Sequence, residues 1–156
     1  MKLPRRQFVL SAPLVFVASG AVLHTQASAS VRLRGRIVCL TEELAQRHQV
    51  APDCDTRGHV YALKTVEGKY HPLLPTDGAA AVWLDERYRQ LDLQIVARLF
   101  AETDFIEVIK YQTWRGAKLF DLEYHCLVCN ISVHKPMPCE CCQDPVEYRE
   151  VLVREN

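Results

Sequence analysis

The chain carries no excess of either charge: 19 Lys and Arg stand against 19 Asp and Glu. Residues 1–29 hold Lys2, Arg5 and Arg6 and no acid, so 16 basic side chains face all 19 acidic ones in the remainder, net −3. That balance, with no run of Lys or Arg interleaved with aromatics, argues against a nucleic-acid surface. No G-x-S-x-G, H-E-x-x-H or phosphate-cradling Gly-rich loop occurs, and no C-x-x-C is followed by His, which removes heme c attachment. The acids at Asp53 and Asp55, and at Asp85 and Glu86, read as solvated loop charge. No catalytic residue is therefore assigned, and the chain does not read as an enzyme. No apolar run reaches the roughly 20 residues that span a bilayer. There is no internal repeat, no low-complexity tract and no Pro- or Ser-rich linker. With 156 residues, 49% hydrophobic and 24% charged, the chain is large enough for one core, so one domain plus an appendage is expected.

Cysteine is what the chain does have. Five of its seven cysteines fall between Cys126 and Cys142, and four of them form a C-x2-C-x9-C-x2-C pattern: Cys126, Cys129, Cys139 and Cys142. Each C-x-x-C turn offers two thiolates, and the arm between the turns folds one over the other, as a tetrahedral metal requires. Cys141 offers an alternative register to Cys142. Two intervening residues let both thiolates converge from one turn, which favours Cys142. His134, inside the arm, could replace one cysteine in a site of three cysteines and one histidine, against the simpler reading of a solvated arm histidine, and His125 reads as a flank. Disulfide pairing is the competing reading of the cluster in an oxidising compartment. Sulfur ligation suits Zn2+ or Fe by geometry, and a closed four-thiolate site leaves no position at which to activate water. Structure or electron transfer remain. A short segment without a core gains on the order of 10 kcal/mol from a structural zinc.

Cys39 and Cys54 make a second group with His48 and His59. A disulfide closing a loop of about 15 residues, two unrelated core cysteines, or a second metal site from Cys39, His48, Cys54 and His59 all stay open.

Hydrophobic periodicity places strands around these groups. Val31, Leu33, Gly35, Ile37 and Cys39 alternate with Arg32, Arg34 and Arg36, a strand with one wet face. Thr41 reads as a helix cap, with Glu42 and Glu43 in the first turn of a short helix through His48. His59–Val66 reads as the second strand, and Glu67-Gly68-Lys69 as a turn. Ala79–Leu84 is a short buried-type run counted as the third strand, Asp85–Gln90 a polar helical turn, Leu91–Leu99 the fourth strand and Phe105–Trp114 the fifth. Arg115-Gly116-Ala117-Lys118 turns into Leu119–Tyr124, which runs into Cys126 with no linker, so the cysteine module is expected to pack on the strands before it.

Five strands with a long connection after the first and a helical turn between the third and fourth is the layout of a small Greek-key barrel of the OB type, with a generic five-stranded sheet as the alternative. The stretch Gly35–Trp114 also resembles small exported bacterial OB-fold proteins, notably in Leu93–Phe100 followed by Phe105–Val108. Tyr124–Ile131 with Pro138–Pro145 resembles the rubredoxin-like zinc ribbon at the C-terminus of rubrerythrins. In such knuckles the residue after the second Cys adopts positive φ and Gly is usual there. Asn130 suits that geometry, and Gln143 departs from the pattern. At the N-terminus, Lys2, Arg5 and Arg6 lead into sixteen charge-free residues, Phe8–Leu23, and then Ala27-Ser28-Ala29, a small-x-small cleavage site. Arg5-Arg6-Gln7-Phe8-Val9 resembles a twin-arginine export signal, the alternatives being an ordinary secretory signal or an uncleaved anchor.

The expected organisation is mainly β: an export signal peptide over 1–29, a small five-stranded OB-like barrel over 30–118 and a four-cysteine metal-binding ribbon, rubredoxin-like, over 119–156. The expected function is an exported, periplasmic bacterial protein with Zn2+, or alternatively Fe, on Cys126, Cys129, Cys139 and Cys142. It would act as a binding or accessory subunit with a protein partner in an envelope complex, would bind no nucleic acid, and would touch membrane only through an uncleaved signal. A rubredoxin-like electron-transfer protein and a metal-handling or thiol-redox protein are the alternatives.

Overall fold

The computed structural model describes residues 30–100 and 102–154. The expected export signal over 1–29 lies outside the described residues. Among these residues no helix is long and apolar enough to cross a membrane.

The described chain is mainly β, with eight strands in one curled, half-barrel sheet and a few short helices. The strands are β1 (Ser30–Cys39), β2 (Tyr61–Thr65), β3 (Tyr70–Pro72), β4 (Leu93–Leu99), β5 (Ile106–Arg115), β6 (Lys118–Cys126), β7 (Ile131–Val133) and β8 (Glu147–Leu152). The helices are α1 (Leu40–His48), α2 (Cys54–Arg57), α3 (Ala81–Leu84) and α4 (Arg87–Gln90), with a 3-10 turn at Asp77–Ala79 before α3. The sheet runs β3-β2-β1-β4-β5-β6-β7, and β8 pairs with β6. All these pairings are antiparallel.

β1 serves two partners in turn. Its first half pairs with β4 and its second half with β2, and Gly35 is the residue paired to both Leu93 and Thr65. A Cβ there would overlap the Lys64 carbonyl oxygen, so the close approach of β2 requires glycine at this position. At the far ends, Leu73 forms an isolated parallel bridge with Ile106, and the Leu74 N–H donates to the Ile106 carbonyl at 2.9 Å.

β5 carries a bulge. Val96 pairs with Lys110 but Ala97 with Val108, leaving Ile109 unpaired. The extra residue resets the alternation, so Val108 and Tyr111 are both buried although three positions separate them. Leu63, Leu93, Ile95 and Ile106 are fully buried and form the centre of the core. Tyr88 of α4 is also buried and packs edge-on against Tyr111 of β5 at 4.9 Å, near Tyr124 of β6 and Tyr148 of β8.

Two expectations need correction. Ala79–Leu84 is helical: Leu84 N–H donates to the Ala80 carbonyl at 3.1 Å, and Ala79, Ala81 and Val82 are buried while Leu84 is exposed. Three consecutive alanines favour helix over strand. The third strand is Tyr70–Pro72, only three residues and ended by proline, which pairs with β2. The helix α1 begins at Leu40, so its N-cap is Cys39, without a side-chain capping bond, rather than Thr41.

Candidate metal centre

The strand β6 delivers the first cysteine. Along it Leu122, Tyr124 and Cys126 are buried at alternate positions. At Leu122 the strand is flanked by Tyr111 on one edge and Glu150 on the other, and at Tyr124 by Val133 and Tyr148. Cys126 thus ends a strand held on both edges.

Two turns of the same build follow. In the first, Asn130 N–H donates to the Cys126 carbonyl at 2.8 Å, Asn130 has φ 54°, and the Cys129 N–H donates to Cys126 Sγ at 3.4 Å. In the second, Gln143 N–H donates to the Cys139 carbonyl at 2.8 Å and Gln143 has φ 64°. The residue after each C-x-x-C is therefore left-handed, Gln143 included, although it lacks the usual glycine. Cys139 N–H donates to the Asp144 carbonyl at 2.9 Å, which closes the second turn.

These turns bring Cys126, Cys129, Cys139 and Cys142 together, with every pair of sulfurs within 4.8 Å. Cys126 and Cys139 are fully buried, Cys129 and Cys142 half-buried. Zinc–thiolate bonds of about 2.3 Å in a tetrahedron put sulfurs about 3.8 Å apart. The Cys126–Cys142 separation is 3.5 Å, close to that edge and far from the roughly 2.05 Å of a disulfide. All seven cysteines are free thiols. Cys141 is exposed and outside the group of four, and His134 is exposed in the arm. His125 is buried beside Cys126, and its Nδ1 has no hydrogen-bond partner.

The thiols differ in how readily they ionise. Backbone N–H groups of Cys142 and Cys141 aimed at Cys139 hold that thiol at about 7, below its ordinary value. Hydrogen bonding with the Cys141 and Cys142 sulfurs raises Cys129 well above its ordinary value. Cys142 is pulled down by the Asp144 backbone N–H, but burial and the neighbouring Cys126 outweigh this and leave it at about 11. Four sulfurs this close repel one another as anions, and a divalent cation between them removes that repulsion. The donor set fits such a cation, and with all four sulfurs engaged no coordination position would remain for water.

The second group lies at the end of β1. Cys39 Sγ is 3.7 Å from Cys54 Sγ and 3.4 Å from His59 Nδ1. Glu42 joins them, its carboxylate 3.5 Å from His59 Nδ1. His48, at the exposed end of α1, is not in this group. Glu42 escaped the sequence reading because an acid in a first helical turn is already accounted for by the helix dipole. The available signal was its position three residues after Cys39, one turn along the same helix face.

No family model, no curated protein and no solved structure matches this chain. Fold and site together define a mainly β protein with a tetra-cysteine cluster able to hold a metal ion.

Proposed function

We propose that the chain is an exported metal-binding protein in which Cys126, Cys129, Cys139 and Cys142 hold a structural zinc in a rubredoxin-like ribbon, and that it acts as a binding or accessory subunit in the cell envelope. One observation carries the metal reading: two turns of equal build, each with a left-handed residue after its second cysteine, converge four sulfurs within 4.8 Å. A structural role is favoured because the arm from Ile131 to Pro138 contains no buried residue, so the ribbon has little core of its own. The bridge from Leu73 to Ile106 supports an OB-like closure of β1–β5. Action through a protein partner is supported by Leu127 and Val128, which stand 67% and 68% exposed at the tip of the first turn. Export rests on the charged start, apolar run and small-x-small site of residues 1–29.

Iron is the second reading, favoured by the half-buried Cys129 and Cys142, which bring one side of the cluster near solvent and within reach of an electron-transfer partner. Metal analysis of protein purified without chelators, together with its visible spectrum, separates the two. Zinc and no colour at this site establishes the structural reading. A red protein that bleaches on reduction replaces it with electron transfer, and a metal-free protein with disulfides among these four cysteines overturns both.

A further inference from the structure

We propose that Cys39, Glu42, Cys54 and His59 form a second metal site, built for one zinc-type divalent ion and separate from the tetra-cysteine cluster. Three stretches of chain converge to make it. Cys39 is the last residue of β1 and the N-cap of α1, Glu42 lies in the first turn of α1, Cys54 opens α2, and His59 precedes β2. The His59 ring is fixed by stacking on Tyr61, with centroids 5.4 Å apart and planes 9° from parallel.

Three of the six donor-to-donor separations match the edges of a coordination tetrahedron. Zinc bonds of about 2.3 Å to sulfur and about 2.0–2.1 Å to nitrogen and oxygen give edges of roughly 3.8 Å for S to S, 3.5 Å for S to N and 3.4 Å for N to O. The corresponding separations are 3.7 Å for Cys39 to Cys54, 3.4 Å for Cys39 to His59 and 3.5 Å for His59 to Glu42. All four donor atoms lie within 4.8 Å of one another. A pair of ordinary core cysteines has no reason to gather an imidazole and a carboxylate. A disulfide would need the two sulfurs at about 2.05 Å.

A second observation points the same way. From Leu40 to Val60 no residue is fully buried, and neither α1 nor α2 has a side-chain cap. This 21-residue connection is tied down by Leu40 N–H to the Val60 carbonyl, by Glu43 to Lys64 and Tyr70, and by the convergence on Cys39. A segment without a core of its own is where a metal staple contributes most to folding. Two thiolates and an imidazole select a borderline-soft ion such as zinc over magnesium or calcium. Glu42, with its side chain 51% exposed, takes the solvent side of the site.

Zinc content of the full chain, purified without chelators, is the direct test. The expected values are two zinc ions per chain, falling to one in Cys54→Ser and in His59→Ala, to one in Cys126→Ser, and to none in Cys54→Ser combined with Cys126→Ser. Cobalt added to Cys126→Ser/Cys129→Ser then reports the second site alone, with thiolate-to-cobalt absorption from two sulfurs. Alkylation of the unmodified chain provides a readout that needs no variant: zinc should protect Cys54, and a chelator should release it. A zinc content unchanged by Cys54→Ser overturns the proposal, as does alkylation of Cys54 indifferent to zinc. So does an intact mass two hydrogens light with Cys39 and Cys54 in one disulfide-linked peptide. Loss of zinc in Cys126→Ser alone bears on the ribbon and leaves this site standing.

Discussion

The Tyr124 hydroxyl donates to Asp85 Oδ2 at 2.6 Å, and this buried bond ties the strand that enters the cysteine cluster to the helical connection before β4. Arg87 completes the arrangement, its Nη2 donating to the same carboxylate at 2.6 Å and its guanidinium lying 4.0 Å from the Tyr148 ring centroid. Tyr124→Phe removes one donor from a buried carboxylate. It should cost about 2 kcal/mol in denaturant unfolding without changing the metal content.

The same carboxylate sets an acid limit. Burial alone would raise Asp85, but hydrogen bonds from Arg87 and Tyr124 outweigh it and hold the group at about 2, below its ordinary 3.8. A depressed folded value contributes stability that is fully present above about pH 4 and is lost as pH falls toward 2, worth about 2 kcal/mol. Unfolding midpoints measured between pH 2 and 6 should fall more steeply for the unmodified chain than for Asp85→Asn. Parallel curves would show that the network does not act this way.

The ribbon distinguishes its cysteines. Cys126→Ser should lose the bound metal and loosen the segment from β7 to β8, seen as faster amide exchange there. Cys141→Ser should do neither, because Cys141 is exposed and outside the group of four. Equal loss from both changes would mean that the ligands are registered differently.

Gln143 sits at φ 64°, a conformation that costs a residue with a Cβ about 1–2 kcal/mol. Gln143→Gly relieves that cost, partly offset by the greater freedom of glycine in the unfolded chain, and should stabilise the metal-loaded protein by about 0.5–1 kcal/mol. A lower melting temperature would show that the Gln143 side chain contributes something the backbone geometry does not reveal.

Gly35→Ala should destabilise by about 3 kcal/mol, since the added methyl meets the Lys64 carbonyl where β1 passes from β4 to β2. Equilibrium unfolding of the two chains compares them directly.

What the sequence announces, and what it hides, follow from how each element is stabilised. β1 and β4 are half-wet strands, and their alternation of apolar and polar residues is visible directly. The four clustered cysteines, and the left-handed Asn130 after the first pair, are equally plain because coordination dictates a fixed local spacing, whereas the left-handed Gln143 is not legible in a residue that departs from the pattern. β3 is too short to show a period, and β8 is an edge strand with no buried residue, so neither leaves a hydrophobic signature. The run into α3 sends a mixed signal, since Val82 and Trp83 suit a buried strand whereas the alanines at 79–81 favour a helix. The group around Cys39 needs a fold to assemble it, and Glu42 belongs to it only because a helix begins directly after that cysteine.

The alternation of Leu122, Tyr124 and Cys126 along β6 has a further consequence. Side chains on a strand change face with every step, so a slip of one residue against β5 would turn Cys126 away from its partner sulfurs and take Tyr124 off Asp85 together. A β6 zipped out of step with β5 could not assemble all four sulfurs, so metal capture at this cluster would depend on the correct register of that pair.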